Sequence, residues 1–242
     1  MLKLTIKTLL LVFISIYLTG CGEMGFNNWR WHQKMTIEVE VNGKVITGSA
    51  VTSIHWWPNF FSGGRGLGFG PAWLSKVEGE AVTVDLGEGK YLFALLSYTR
   101  NHEYTENLAT RSLYDTTKRV WIKEAFNSVL TRQKPIVVPR KVYPLLVTFR
   151  VVKNPKTIKE VDPDNLAANF GEGYRLKAIT LDITDEPVIT GNVEKVLGDQ
   201  FFKNWVIIRK DALKRGFKDP YFRKLMAKLN RDDFIRKVDY GK

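Results

Sequence analysis

The side chains best suited to chemistry are few. Cys21 is the only cysteine, and His32, His55 and His102 are the only histidines, in 242 residues. A single thiol excludes an internal disulfide and a multi-thiolate metal centre. No histidine has another histidine or a cysteine two or four positions away, the spacing zinc sites on strands and helices use. Neither a metal nor a cofactor is expected. Asp162, Asp164, Asp182, Asp185 and Glu186 form the densest set of carboxylates. Two of them across a glycosidic bond would supply an acid and a base. Beside prolines the same groups serve as helix caps and turn formers, and that reading is adopted, with no catalytic residue assigned. Asp162-x-Asp164 opens like a calcium loop but lacks its glycine and distal glutamate. No Gly-x-Ser-x-Gly elbow occurs. The glycine-rich run Ser62 to Pro71 (SGGRGLGFGP) fits neither phosphate-loop spacing and is read as a loop.

Charge is the second signal. The chain is 44% hydrophobic and 26% charged, a composition that packs a core, yet its net charge is +12. Such a surface attracts polyanions. The excess is densest at the C-terminal end, where Phe201 to Lys242 carries thirteen Lys and Arg against five Asp, a net of +8. Within it Tyr221, Phe222, Leu225, Met226 and Leu229 fall on one helical stripe behind Asp219-Pro220, leaving Arg223, Lys224 and Lys228 to face elsewhere. Those three are the candidate contacts to an anionic surface.

Compartment decides which polyanion the chain meets. Lys3 and Lys7 precede an uncharged apolar run from Thr8 to Leu18, too short for a membrane span and of the length of a signal-peptide core. Leu18-Thr19-Gly20-Cys21 follows at once. This resembles the lipobox of bacterial lipoproteins. The resemblance implies cleavage between Gly20 and Cys21, a diacylglyceryl group on the Cys21 sulfur and acylation, palmitate among the acids used, of the new N-terminus. Gly22 stands where an Asp would signal inner-membrane retention, so the periplasmic face of the outer membrane is expected in a Gram-negative cell. The anionic partner is then lipid or lipopolysaccharide phosphate rather than nucleic acid. The sequence leaves the protein partner open, membership of a larger envelope complex included.

The elements that must position these groups read as strands first. Glu23 to Lys34 reads as a tether, with Trp29 and Trp31 placed either at the membrane interface or as caps on the domain. Thr36 to Val41 alternates apolar and polar, Asn42-Gly43 favours a tight turn, and Lys44 to Trp57 returns, giving a hairpin. Strands follow at Lys76–Leu86 and Lys90–Tyr98, joined by Gly87-Glu88-Gly89. Tyr91 to Leu96 is apolar on both faces and so central in its sheet. One helix is expected within Leu108 to Arg132, extended chain at Pro135–Pro144, a strand at Leu145–Val152 and a basic turn at Lys153–Glu160. Asp162 and Pro163 are read as the cap and first residue of a helix ended by Gly171, before a strand at Tyr174–Ile183. Trp205 to Arg209 is read as a last short strand or strand-like segment.

The block Tyr143 to Gly191 also resembles a family of uncharacterised bacterial proteins that share LVTF, a V-D-P-D-D-L-A stretch, FG and an RLK-ITLEITD-P-VTTG stretch. The likeness extends to Gly48–Val51, Gly79–Leu86 and Leu92–Leu96, and places Asn165 where that family carries a second acid. It brings no activity with it.

The sequence therefore predicts an α+β protein. A signal peptide spans residues 1–20, a tether 21–35, an antiparallel β-rich domain with a few helices 36–198, and a basic, mainly helical C-terminal extension 199–242. Its function is expected to be that of a membrane-anchored envelope lipoprotein acting as a binding or structural module. The alternative is an envelope hydrolase acting on glycan or lipid through carboxylates.

Overall fold

The computed structural model describes residues 28–59, 72–97, 104–114, 122–215 and 220–236. They form an α+β fold of two antiparallel sheets and six α-helices. Contacts divide the chain into one unit of residues 1–30 and 55–76 and another of residues 31–54 and 77–242.

Strand β1 (Trp29–Val41) buries every second side chain, including Trp31, Met35, Ile37 and Val39, which is the period of a strand with one face in a core. Asn42 and Gly43 both take positive φ, +49° and +82°, and return the chain into β2 (Lys44–Asn59), as the dipeptide requires. β3 (Ala72–Glu80) completes a meander. The larger sheet has the order β10-β3-β2-β1-β9-β6, with β6 at Ile136–Val137, β9 at Tyr174–Thr184 and β10 at Ile235–Arg236. β1 and β9 run antiparallel from the pair His32 and Thr184 to the pair Val41 and Tyr174, interrupted by an irregularity at Glu38 and Val39.

The second sheet, β4-β5-β7-β8, contains β4 (Val82–Asp85), β5 (Tyr91–Ala94), β7 (Leu146–Phe149) and β8 (Ile158–Glu160). Lys76–Leu86, read as one strand, is thus two strands in different sheets. The break falls just after Gly79, which sits at φ +139°, where an added Cβ would lie 2.8 Å from Thr52 Cγ2. The sheets approach closely at Gly48, whose Cβ would lie 2.5 Å from the Thr83 carbonyl oxygen. β5 is buried between β4 and β7, as its two apolar faces predict.

The expected single helix within Leu108–Arg132 is two, α1 (Tyr104–Leu113) and α2 (Ile122–Leu130). The basic turn at Lys153–Glu160 contains a 3₁₀ turn (Pro155–Thr157) and the edge strand β8. Asp162 does not cap a helix. Its Oδ1 accepts from the Asp164 amide at 2.9 Å in a local turn, and α3 (Ala167–Phe170) begins later, ending at Gly171 as expected. After α4 (Asn192–Leu197), the segment Trp205–Arg209 lies inside α5 (Asp199–Arg215) rather than in a strand. α6 (Pro220–Lys228) is the helix expected there.

The C-terminal residues are no appendage. Phe201, Phe202, Trp205, Phe222, Leu225, Met226 and Phe234 share one core with Phe93, Leu95, Val147 and Phe149 from the smaller sheet. Phe234 lies edge-on to Phe93, Phe202 and Trp205, with ring centroids 5.5–6.4 Å apart. Its carbonyl accepts from Ala81 N, where β3 gives way to β4, and the Asp233 carbonyl accepts from Leu96 N, each at 2.8 Å. The boundary placed at residue 198 therefore cuts through a continuous hydrophobic core.

Candidate functional site

Gly20 and Cys21, the expected cleavage and lipidation residues, lie outside the described residues, as does His102. Of the expected tether, the part from Trp29 onward belongs to β1. Neither tryptophan is at an interface: Trp29 and Trp31 are buried, Trp29 packs on Trp73 at 5.0 Å, and Trp31 on Phe126 at 5.5 Å. Trp31 Nε1 donates to Gln33 Oε1 at 3.2 Å, which satisfies the indole N–H inside the protein.

Helix α6 segregates as its sequence predicts except at Tyr221, a residue of the apolar stripe that is 50% exposed. Phe222, Leu225 and Met226 enter the core, Arg223 and Lys224 are exposed and Lys228 is half-buried. Lys228 stands in the last turn, where a cation complements the helix dipole. The reading as a strand hid a second face on α5. There Phe201, Phe202, Trp205 and Ala212 are buried, while Lys203, Val206, Ile207 and Lys210 are exposed on the opposite side. Val206 and Ile207 are each 60% exposed, an unusual position for two adjacent aliphatic residues on a helix. Arg209 Nε donates to the Met226 carbonyl at 3.1 Å and ties the two helices together. Among the described residues, Lys203, Lys210, Arg223, Lys224 and Lys228 form no ion pair.

The carboxylates are mostly engaged. Arg140 holds Asp164 through both oxygens, at 2.6–3.0 Å, with Asp162 at 3.7 Å and the Tyr143 ring 5.5 Å from the guanidinium. The Arg140 hydrogen bonds lower the Asp164 carboxyl below its ordinary value, and the guanidinium is raised in return. Glu186 pairs with Lys34 at 2.8 Å, and its backbone carbonyl contacts His32 Nδ1 at 2.7 Å. Asp182 stands opposite Lys34 in the β1–β9 register, and Asp185 is exposed just past the strand. His55 contacts Asn28 Oδ1 and Arg30 Nη2, at 2.5 and 3.3 Å. Among the described residues no three His, Cys, Asp or Glu side chains group to hold a metal ion.

Two buried acids with distant partners escaped the sequence reading. Glu80, 1% exposed, accepts three backbone N–H groups, from Gly191 (2.8 Å), Asn192 (3.1 Å) and Val193 (3.3 Å), at the start of α4. Glu106 on α1 pairs with Arg236 on β10 at 3.0 Å, both side chains largely buried. Their partners lie more than a hundred residues away, so no local spacing announces them. Both groups hold elements together rather than face a cleft.

Among the described residues no helix is long and apolar enough to cross a membrane. Comparison with protein-family models, with the curated proteins and with solved structures finds no match to this chain.

Proposed function

We propose that this protein is a bacterial envelope lipoprotein, cleaved before Cys21 and acylated there, whose folded domain is a non-enzymatic binding or structural module. Its outer helical face rests against an anionic surface of phospholipid or lipopolysaccharide. The observation that carries the second part is the outward side of α5 and α6. Lys203, Lys210, Arg223, Lys224 and Lys228 are unpaired among the described residues, and Val206 and Ile207 are exposed between the two lysines of α5. Cations beside a small apolar pair match an interface of phosphate and acyl chain, in which lysine stems run along apolar surface while their heads meet anions. The resemblance of Leu18-Thr19-Gly20-Cys21 to a lipobox supports the first part.

Labelled palmitate supplied to cells should enter the parent chain and not Cys21→Ala. An unlabelled parent, or equal labelling of both, refutes the anchor. The helical face is tested in the Cys21→Ala background, where acyl insertion no longer dominates. Each cation near an anionic membrane is worth about 1 kcal/mol. Arg223→Gln with Lys224→Gln and Lys228→Gln should therefore cut the preference for anionic over zwitterionic vesicles at least roughly tenfold. An unchanged preference removes the face from the account.

A further inference from the structure

A groove of about 570 Å³ runs along the outer edge of β8 to the start of α6. Arg150, Lys156 and Lys159 line it, and none of the three is ion-paired among the described residues. Glu160 is the one acid on its wall. Ile158, Tyr221 and Phe222 supply apolar surface beside the cations.

The arrangement is held by its own turn. The Thr157 hydroxyl contacts the Val151 and Asn154 carbonyls at 3.0 and 2.8 Å and accepts from Val151 N at 3.0 Å. Arg150 N donates to the Thr157 carbonyl at 3.2 Å, and Lys156 N donates to Asn154 Oδ1 at 3.1 Å. The backbones that carry Arg150 and Lys156 are thus fixed together, and Lys159 is fixed by its pairing with Thr148. On the far side, Glu160 N donates to the Tyr221 hydroxyl at 3.2 Å, so the ring stands against the edge of the sheet and blocks continued strand pairing there.

Three cations lining one groove with an apolar wall are complementary to an anion that carries a non-polar body. We infer that this groove binds the phosphate of an anionic lipid head group, with Arg150, Lys156 and Lys159 on the phosphate oxygens and Tyr221 and Phe222 against the glycerol and first methylenes. Arg150 offers the planar fork suited to two phosphate oxygens, while the lysines act as point charges. The choice of a lipid rests on the envelope reading above; the anion site itself does not.

The protein as purified from cells, in non-ionic micelles, titrated calorimetrically with dihexanoyl phosphatidic acid and separately with inorganic phosphate, tests this. Saturable binding is expected, tighter for the lipid than for inorganic phosphate. Arg150→Gln with Lys156→Gln and Lys159→Gln should weaken it tenfold or more. Lys44→Gln with Lys123→Gln and Lys134→Gln, which removes equal charge from exposed positions elsewhere, should leave it unchanged. All six residues are exposed, so both variants should keep the parent thermal transition. Equal affinity for inorganic phosphate overturns the lipid assignment. Equal loss in the two variants, or no loss in the first, overturns the site. Because micelles stand in for the membrane, a failed anchor reads out only in the labelling experiment and a failed groove only here.

Discussion

Replacing Glu80 tests how the two sheets are tied to the chain beyond them. Its carboxylate, 1% exposed, receives three N–H groups that α4 and the residue before it leave unsatisfied at the helix start. A hydrogen bond to a charged group contributes about 1.5–3 kcal/mol, and a buried donor left without a partner costs about 1–3 kcal/mol. Of the three donors, Val193 N is buried and the other two are partly reachable by water, so full loss at each is not expected. Glu80→Gln keeps one acceptor and turns an amide NH₂ toward a backbone N–H, which implies a cost of about 2–4 kcal/mol. In a chain of this size that corresponds to a fall in Tm of roughly 4–16 °C, at about 2–4 °C per kcal/mol. Urea denaturation followed by circular dichroism, with scanning calorimetry, measures both. Stability within about 0.5 kcal/mol of the parent would refute the reasoning, since surface substitutions fall in that range.

Phe234→Ala, which empties a fully buried ring site among four aromatic neighbours, should cost about 3–5 kcal/mol in the same assay; a loss below about 1 kcal/mol would return the C-terminal segment to the status of an extension. Gly48→Ala places a methyl 2.5 Å from the Thr83 carbonyl and 2.9 Å from Val84 Cγ2, so it should destabilise by about 1–3 kcal/mol, whereas a stable variant would show that β2 and β4 separate freely. Carboxyl-carbon NMR should find Asp164 titrating below an ordinary aspartate, because its folded form is held charged by Arg140. Its contribution to stability is then present above the unfolded pKa, near 4, and lost as pH falls through the lower folded value. Arg140→Gln should return Asp164 to the ordinary range, and an unmoved titration would remove the pair as the cause. Glu40, lowered by hydrogen bonds from Arg175 and Lys177, should behave likewise on Arg175→Ala.

What the sequence made legible was governed by neighbours in the chain. Asn42-Gly43 encodes its own turn, Gly171 its own helix end, and the alternation of Tyr174 to Ile183 its own strand, because each depends on backbone preference or a period of two. The errors arose where distant packing overrode local texture. Val206, Ile207 and Ile208 are β-branched and read as a strand, yet Phe201, Trp205, Ile208 and Ala212 also repeat at helical spacing, and burial against Phe234 and Phe222 decides for the helix. Lys76 to Leu86 looks like one strand because nothing nearby reveals that Glu80 will be drawn to Gly191 or that Ala81 N will bond Phe234. Of the candidate site, Arg223, Lys224 and Lys228 were visible from the apolar stripe they interrupt. The matching face on α5 was not, since it exists only once that segment is helical.

Tethering of the folded domain through an acylated sulfur is the central claim. Intact-mass analysis of the protein purified from its native membrane measures this directly. The expected result is a chain beginning at Cys21 whose mass exceeds that of residues 21–242 by a diacylglyceryl group and any N-terminal acyl chain. Residues 1–20 still attached, or an unmodified Cys21, would contradict it.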